Sequence, residues 1–185
     1  MRFNLKGIFV LAITCSLCGF LLSLVYSSAK DKIKDNQKKA IYQAIEKIAK
    51  GYKEVVPIKV RSIDVYKLID EKEKIMGYAF LVEGQGYQDK IKILGVINKS
   101  GTTLKGIEII DSKETPGLGA RIGEEFFTSQ FKNLKVFPSI QLTQKEKVKN
   151  NQVKAITGAT VSSTAVVNIL DKGIKELREA GVFND

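Results

Sequence analysis

The sequence contains no histidine, and it has only two cysteines among its 185 residues. The absence of histidine excludes catalysis by a histidine base and excludes metal sites with histidine ligands. Cys15 and Cys18 both lie in an apolar run near the N-terminus. Neither a disulfide scaffold nor a cysteine-rich metal site is therefore expected.

Negative charge is scarce relative to positive charge. Lys and Arg outnumber Asp and Glu by 30 to 20, which gives a net charge of +10. A basic balance can indicate nucleic acid, an anionic membrane surface or an acidic partner. The lysines are scattered along the chain, and the aromatic residues are not interleaved with them as a base-stacking surface requires. We therefore expect a membrane or a protein partner and no nucleic acid.

Charge is absent altogether from residues 7–26, which form an apolar run. At about 1.5 Å per helical residue, this run spans about 30 Å, the thickness of a bilayer core. A small-residue site at residues 27–29 would suit signal peptidase, but the run is longer than the core of a typical signal peptide. We expect residues 1–29 to form an uncleaved, single-pass membrane anchor.

The charges on either side of the anchor give conflicting indications of its orientation. Arg2 and Lys6 precede the run, and five lysines follow it closely: Lys30, Lys32, Lys34, Lys38 and Lys39. The positive-inside rule would keep the following domain in the cytoplasm, although long domains can be translocated despite such charge. The charge pattern alone leaves the side of the membrane open.

The remaining sequence predicts an α+β domain at residues 53–185, joined to the anchor by an amphipathic helix at residues 30–52. Four strands are expected, at residues 58–69, 77–82, 91–97 and 104–110, with a hairpin turn at residues 98–101. A short helix is expected at residues 124–134, and apolar residues at helical spacing predict a last helix after residue 164. Strands in sequence with helices at both ends favour a largely antiparallel sheet with flanking helices.

A stretch of small and hydroxylic residues stands directly before the last helix. Gly158 and Ala159 would allow a ligand to approach the backbone, because almost no side chain intervenes. The helix N-terminus that follows suits a phosphate. Hydroxyls are supplied by Thr157, Thr160, Ser162 and Ser163. The alternative interpretation is a glycine turn followed by an ordinary Ser/Thr helix cap.

A second glycine-rich stretch, residues 114–121, follows the fourth expected strand. Pro116-Gly117 predicts a tight turn in which Gly117 has positive φ. Gly119 adds a second bare backbone position, and Leu118 offers an apolar surface. The alternative is a connecting loop that happens to be rich in glycine.

Taken in order, these segments resemble the FMN-binding domain family, in which the flavin is held covalently through its phosphate. The resemblance covers essentially the whole chain, and its motifs are Gly86-Tyr87, residues 114–119 and the Thr-Gly-Ala-Thr of residues 157–160. It is strongest to the family branch formed by the G subunits of the Rnf complex, a membrane-bound ion-translocating ferredoxin:NAD oxidoreductase. The C subunit of the sodium-pumping NADH:quinone oxidoreductase is a more distant member, and its role is the alternative function within the family.

The resemblance implies that Thr160 carries the FMN in a phosphoester link. It further implies a set of cofactor-binding residues: Glu114, Thr115, Gly117, Leu118, Gly119, Thr157, Gly158, Ala159 and Ser163. A separate, Mg²⁺-dependent flavin transferase would attach FMN from FAD, and Thr160 would be an acceptor rather than a catalyst. Lys154 stands where many members have an acidic residue. The flavin domain is expected on the extracytoplasmic side of the cell membrane, in contact with the other membrane and redox subunits of the complex.

Two other classes of function are compatible with the sequence. One is a membrane-anchored FMN-binding scaffold or sensor without a redox role. The other is a hydrolase with Ser162 or Ser163 as nucleophile, which would lack a histidine and a recognisable nucleophile elbow.

Overall fold

The computed structural model describes residues 5–146 and 149–184. Its helices are α1 (Leu5–Ile48), α2 (Glu125–Thr128) and α3 (Thr160–Glu179), with short 3₁₀ segments at Gly119–Gly123, Ser129–Phe131 and Val182–Asn184. Its strands are β1 (Glu54–Val60), β2 (Ile63–Ile69), β3 (Ile75–Gln85), β4 (Lys90–Asn98), β5 (Thr103–Ser112), β6 (Leu134–Lys135), β7 (Gln141–Thr143) and β8 (Gln152–Lys154).

The first helix, α1, contains 44 residues. Its N-terminal part is long and apolar enough to cross a membrane, as the sequence predicts. The expected anchor and the expected linking helix are thus parts of one helix. The chain separates into two compact units between Ala40 and Ile41. The domain boundaries at residues 29 and 52 remain predictions.

Six strands form one antiparallel sheet in the order β1-β2-β3-β4-β5-β6. The predicted α+β class with a largely antiparallel sheet is confirmed. The prediction of a single strand at residues 58–69 is wrong, because the chain reverses at Arg61 and Ser62 to form the β1–β2 hairpin. Arg61 has φ of +54°. Arginine rarely adopts this conformation, so the sequence does not indicate a turn here. Pro57 is tolerated in β1 because β1 is an edge strand.

Both faces of the sheet are covered by helix. On one face, α3 contributes buried residues such as Val166, Leu170 and Ile174 to the main core. On the other face, Ile41, Ala44 and Ile45 of α1 pack with residues of β2, β3 and β4 in a second core. The i, i+3, i+4 spacing of these three residues gives α1 an apolar stripe, which is the usual way a helix covers a sheet.

The segment between β5 and β8 is less regular than the sequence predicts. The helix expected at residues 124–134 is reduced to α2 and a following 3₁₀ turn, and the chain then forms the edge strand β6. Phe127 and Phe131 are both fully buried, with ring centroids 5.4 Å apart. These aromatic contacts fix the segment against the core without a long helix. The parallel pair β7–β8, which leads towards α3, was not predicted.

Candidate functional site

Two loops meet around a cavity of about 420 Å³ at the N-terminus of α3. One loop, residues 114–119, follows β5; the other, residues 156–159, precedes α3. We call this the Thr160 cavity. Its lining residues are Tyr87, Glu114, Thr115, Leu118, Gly119, Gly158, Ala159, Thr160, Val161 and Ser162. The two glycine-rich stretches of the sequence are therefore neighbours in space.

The turn at residues 156–159 leads the chain directly into α3. The Ala159 N–H donates to the Ile156 carbonyl at 2.9 Å, and Gly158 has φ of +83°. Thr160 is the first residue of α3, and within the described structure no side chain caps the helix at Ala159. The N–H groups of a first helical turn have no intrahelical partner. This end of α3 is consequently available to an anionic group.

Ser163 stabilises this turn from inside. Its side chain is fully buried, and its hydroxyl donates to the Ala159 carbonyl at 2.9 Å. The same oxygen accepts the Ile156 N–H at 3.1 Å. Ser163 therefore lies behind the Thr160 cavity and is already hydrogen-bonded within the protein.

The 114–119 loop forms the opposite wall. The N–H groups of Leu118 and Ala120 both donate to the Thr115 carbonyl, each at 3.1 Å. Gly117 has φ of +74°, which confirms the predicted turn conformation. Leu118 is about half exposed and lies close to the other loop, since a Cβ built on Gly158 would be 3.7 Å from Leu118 Cδ2. Apolar surface from Leu118 and from the exposed Val161 thus borders the cavity.

Glu114 is a buried carboxylate in the wall of the cavity, with 4% of its surface exposed. Its Oε1 accepts the N–H of Tyr87 at 2.8 Å and the N–H of Gln88 at 3.1 Å. Its Oε2 accepts the hydroxyl of Ser162 at 2.6 Å. A buried carboxylate is costly unless it is hydrogen-bonded, and here three donors satisfy it. Glu114 therefore connects the β3–β4 loop to the first turn of α3.

The β3–β4 loop, residues 86–89, has two further contacts, with Thr115 and with Lys113. The Thr115 hydroxyl donates to Gln88 Oε1 at 3.1 Å. Lys113 Nζ lies 3.1 Å from Asp89 Oδ2. The Lys90 N–H and this ion pair lower the pKa of Asp89 below its usual value, and Asp89 in turn raises the pKa of Lys113. Three consecutive residues, 113–115, thus bind one loop.

The structure brings most of the sequence-predicted site residues together. Glu114, Thr115, Leu118, Gly119, Gly158, Ala159 and Thr160 all line the Thr160 cavity. Gly117 shapes the turn and is exposed. Thr157 is exposed and lines a neighbouring hollow of about 350 Å³ with Arg121, Phe126 and Lys154. Lys154 also forms an ion pair with Glu146.

Four residues of the cavity and its support are missing from the sequence-predicted set: Tyr87, Gln88, Val161 and Ser162. The sequence indicates Gly86-Tyr87 only through the family resemblance. It indicates Ser162 only as one hydroxyl among several in its motif. Nothing in the sequence indicates that Ser162 donates to Glu114, because the two residues are 48 positions apart.

The fold and the cavity together define an α+β domain in which an uncapped helix N-terminus, a feature suited to phosphate, stands beside an apolar wall. Residues 86–175 match the FMN-binding domain family.

Comparisons with individual proteins extend the similarity to most of the chain. The chain is 29% identical to the G subunit of the ion-translocating oxidoreductase complex of Methanosarcina acetivorans, over 91% of this chain and 92% of that protein. It is 28% identical to the G subunit of the proton-translocating ferredoxin:NAD(+) oxidoreductase complex of Clostridium ljungdahlii, over 91% of this chain and 86% of that protein. The crystal structure of the C subunit of the Na(+)-translocating NADH-quinone reductase from Parabacteroides distasonis shares the fold. The TM-score is 0.65 at 19% identity, covering 83% of this chain and 96% of that one.

Proposed function

We propose that this chain is the electron-carrying flavoprotein subunit of a membrane-bound, Rnf-type ion-translocating ferredoxin:NAD oxidoreductase, with FMN linked by its phosphate to Thr160. The observation that supports it most directly is the position of Thr160, which lies in the cavity wall as the first residue of an uncapped helix. The similarity to two G subunits of such complexes, over most of their lengths, supports the type of complex.

The residues around Thr160 suit the chemical parts of FMN. The phosphate of the proposed ester would lie at the N-terminus of α3, where the helix dipole and free N–H groups favour negative charge. Gly158 places no side chain beside that position. The flat, largely apolar isoalloxazine would cover Leu118 and Val161, which are otherwise 51% and 58% exposed.

The bound flavin would supply one- and two-electron transfer, and the protein would fix its position and environment. Thr160 is a weak nucleophile, and the chain has no histidine to act as its base. We infer that a separate flavin transferase performs the attachment by cleaving the pyrophosphate of FAD, joining FMN to the Thr160 oxygen and releasing AMP, with Mg²⁺ neutralising phosphate charge. In this scheme Thr160 supplies the hydroxyl, and the two loops hold the product.

The same proposal includes the cell membrane and the other subunits of the complex as partners. The apolar part of α1 would anchor the chain as a single span, with the flavin domain on the extracytoplasmic side. A phosphoester would prevent loss of the cofactor there. The alternative of an FMN-binding scaffold or sensor would use the same cavity without exchanging electrons with a partner.

The test is covalent flavin on the denatured protein. Wild type, expressed with a flavin transferase, should give a fluorescent band on a denaturing gel, and Thr160→Val should give a dark band. Valine approximates the shape of threonine and removes the hydroxyl. Thr157→Val is the matched control, because Thr157 lies in the same turn but lines a different hollow; it should remain fluorescent. Peptide mass spectrometry that located FMN on Thr157, Ser162 or Ser163 would contradict the assignment.

A further inference from the structure

We propose that Glu114 is a positioning residue: its carboxylate holds the β3–β4 loop, the 114–119 loop and α3 in place around the Thr160 cavity, and it is committed to the protein rather than to the cofactor. The expected effect of Glu114 on bound FMN rests on the proposed function. The hydrogen bonds from which the positioning role is inferred do not depend on any ligand. We call Glu114, Tyr87, Gln88 and Ser162 the Glu114 cluster.

The carboxylate has little capacity left for a ligand. It accepts two backbone N–H groups on Oε1 and one hydroxyl on Oε2, so both of its oxygens are already engaged. Hydrogen bonds to a charged group are the stronger class. The cluster therefore favours one arrangement of its three segments.

Two glycines lie close to the carboxylate. A Cβ built on Gly86 would lie 2.4 Å from Glu114 Oε1, and one built on Gly119 would lie 2.5 Å from Oε2. The Gly119 Cβ would also lie 2.6 Å from Ser162 Oγ. Neither glycine has positive φ, so backbone conformation does not explain them. Close contact explains both glycines: Gly119 lies against Glu114 and Ser162, and Gly86 lies against Glu114, the Asp89 carbonyl and the Ile91 side chain.

The cluster joins residues that are far apart in the sequence. Glu114 is 27 residues from Tyr87 and 48 residues from Ser162. Ser162 lies in the first turn of α3, two positions after Thr160. The bond to Glu114 consequently sets where the N-terminus of α3 stands relative to the wall that carries Leu118. Loss of the carboxylate would leave two part-buried backbone N–H donors and the buried Ser162 hydroxyl without their acceptor.

The first test uses full-length protein in detergent without flavin, prepared from a host that has no flavin transferase. Hydrogen exchange is resolved at the Tyr87 and Gln88 amides. Glu114→Ala should accelerate their exchange by about 10-fold or more, because each loses a charge-assisted hydrogen bond. Glu114→Gln keeps an oxygen acceptor and should stay within about 3-fold of wild type. If Glu114→Ala does not fold, Glu114→Asp, which is one methylene shorter, should accelerate the same amides.

The control is Asp171→Asn. Asp171 also accepts a backbone N–H through its carboxylate, from Ile140 at 2.9 Å, but it lines a different hollow from Thr160. This variant should leave the Tyr87 and Gln88 amides unchanged. Unchanged exchange in Glu114→Ala, or equal acceleration in Asp171→Asn, would overturn the positioning role. These results do not depend on flavin, so they remain interpretable if wild type proves to carry none.

The second test uses the flavin-loaded variants and reads the visible absorption band and fluorescence anisotropy of the bound FMN. Glu114→Ala should give a shifted spectrum and lower anisotropy, because the walls of the cavity are no longer held in one arrangement. Glu114→Gln should restore both readouts to wild-type values. A spectrum altered as much by glutamine as by alanine would show that the carboxylate charge acts on the flavin directly, and it would overturn the proposal.

Discussion

At the scale of single residues, Gly117 and Gly119 belong to one loop but are required for different reasons. Gly117 has φ of +74°, and apart from its two chain neighbours no described residue places a heavy atom within 4 Å of its built Cβ. Gly119 lacks positive φ but would place its Cβ against Glu114 and Ser162. Backbone conformation therefore requires glycine at position 117, and close packing requires it at position 119.

This difference predicts unequal effects of the same substitution. Gly117→Ala should cost about 1–2 kcal/mol of folding free energy through its left-handed backbone, while retaining covalent FMN. Gly119→Ala should also lower FMN incorporation, because it separates Glu114 from Ser162. Urea unfolding and the ratio of flavin to protein absorbance measure the two quantities. Full incorporation in Gly119→Ala would show that the Glu114–Ser162 bond is not needed for the cavity.

The sequence predicted these positions unevenly. Turn chemistry predicted the positive φ of Gly117, because Pro-Gly determines a local conformation. The position of Glu114 beside Ser162 could not be predicted, because it follows from how β5 and α3 pack together. Thr157 is a second position that the sequence could not predict. It shares a motif with Thr160, yet the turn at Gly158 places it in another hollow.

At the scale of elements, α3 approaches β3 closely through a glycine on each. A Cβ built on Gly173 would lie 2.5 Å from Val82 Cγ1, and one built on Gly84 would lie 2.6 Å from Ile169 Cγ1. Valine is stiff at χ1, so Val82 has little freedom to move aside. These contacts fix the distance between the helix that carries Thr160 and the sheet.

Gly173→Ala tests this close approach. In an unconstrained helix the substitution would stabilise by about 1 kcal/mol. Here the overlap with Val82 should cost about 1–3 kcal/mol, so a net loss of stability in urea unfolding is expected. The control is the double variant Gly173→Ala/Val82→Ala, which should be more stable than the sum of the two single effects. Additive effects would mean that the two side chains do not meet.

A pH-dependent prediction concerns Asp171, also on α3. Burial raises its pKa above the ordinary value of 3.8, although the bond from the Ile140 N–H and the charge of Arg178 act in the opposite direction. The native protein therefore holds this proton over a pH range in which the unfolded chain has released it. The contribution of Asp171 to stability falls as pH rises through that range.

Asp171→Asn should remove this dependence while its side-chain oxygen can still accept the Ile140 N–H. Relative to wild type, the variant should gain stability as pH rises from below 3.8 towards neutrality. Urea unfolding of both proteins across that range measures the difference. A difference that does not change with pH would indicate that the carboxyl titrates alike in native and unfolded protein.

The limits of sequence prediction at this scale also have physical causes. Strands β3, β4 and β5 were predicted because each is a long apolar run. A clear hairpin turn at residues 98–101 also separates β4 from β5. The Gly101 N–H indeed donates to the Asn98 carbonyl at 3.0 Å. The β1–β2 hairpin was missed because Arg61 adopts its turn conformation without glycine. The pair β7–β8 is too short for its periodicity to be visible.

At the scale of the whole molecule, the sequence pattern predicted the architecture well, but it did not predict on which side of the membrane the domain lies. The apolar run, the α+β class and the antiparallel sheet all follow from local pattern. The side of the membrane depends on translocation, for which basic residues on both sides of the run give opposing indications. Only the family resemblance favours the extracytoplasmic side.

The topology proposal can be tested on intact cells with a membrane-impermeant amine reagent. If the flavin domain is extracytoplasmic, exposed lysines such as Lys72, Lys99 and Lys132 should be labelled before lysis. These three belong to different loops, so a local contact with another subunit would not protect all of them. A cytoplasmic marker protein must stay unlabelled in the same sample, which controls for leakage. Lysines that become labelled only after lysis would place the domain in the cytoplasm, as the literal charge count around the anchor predicts.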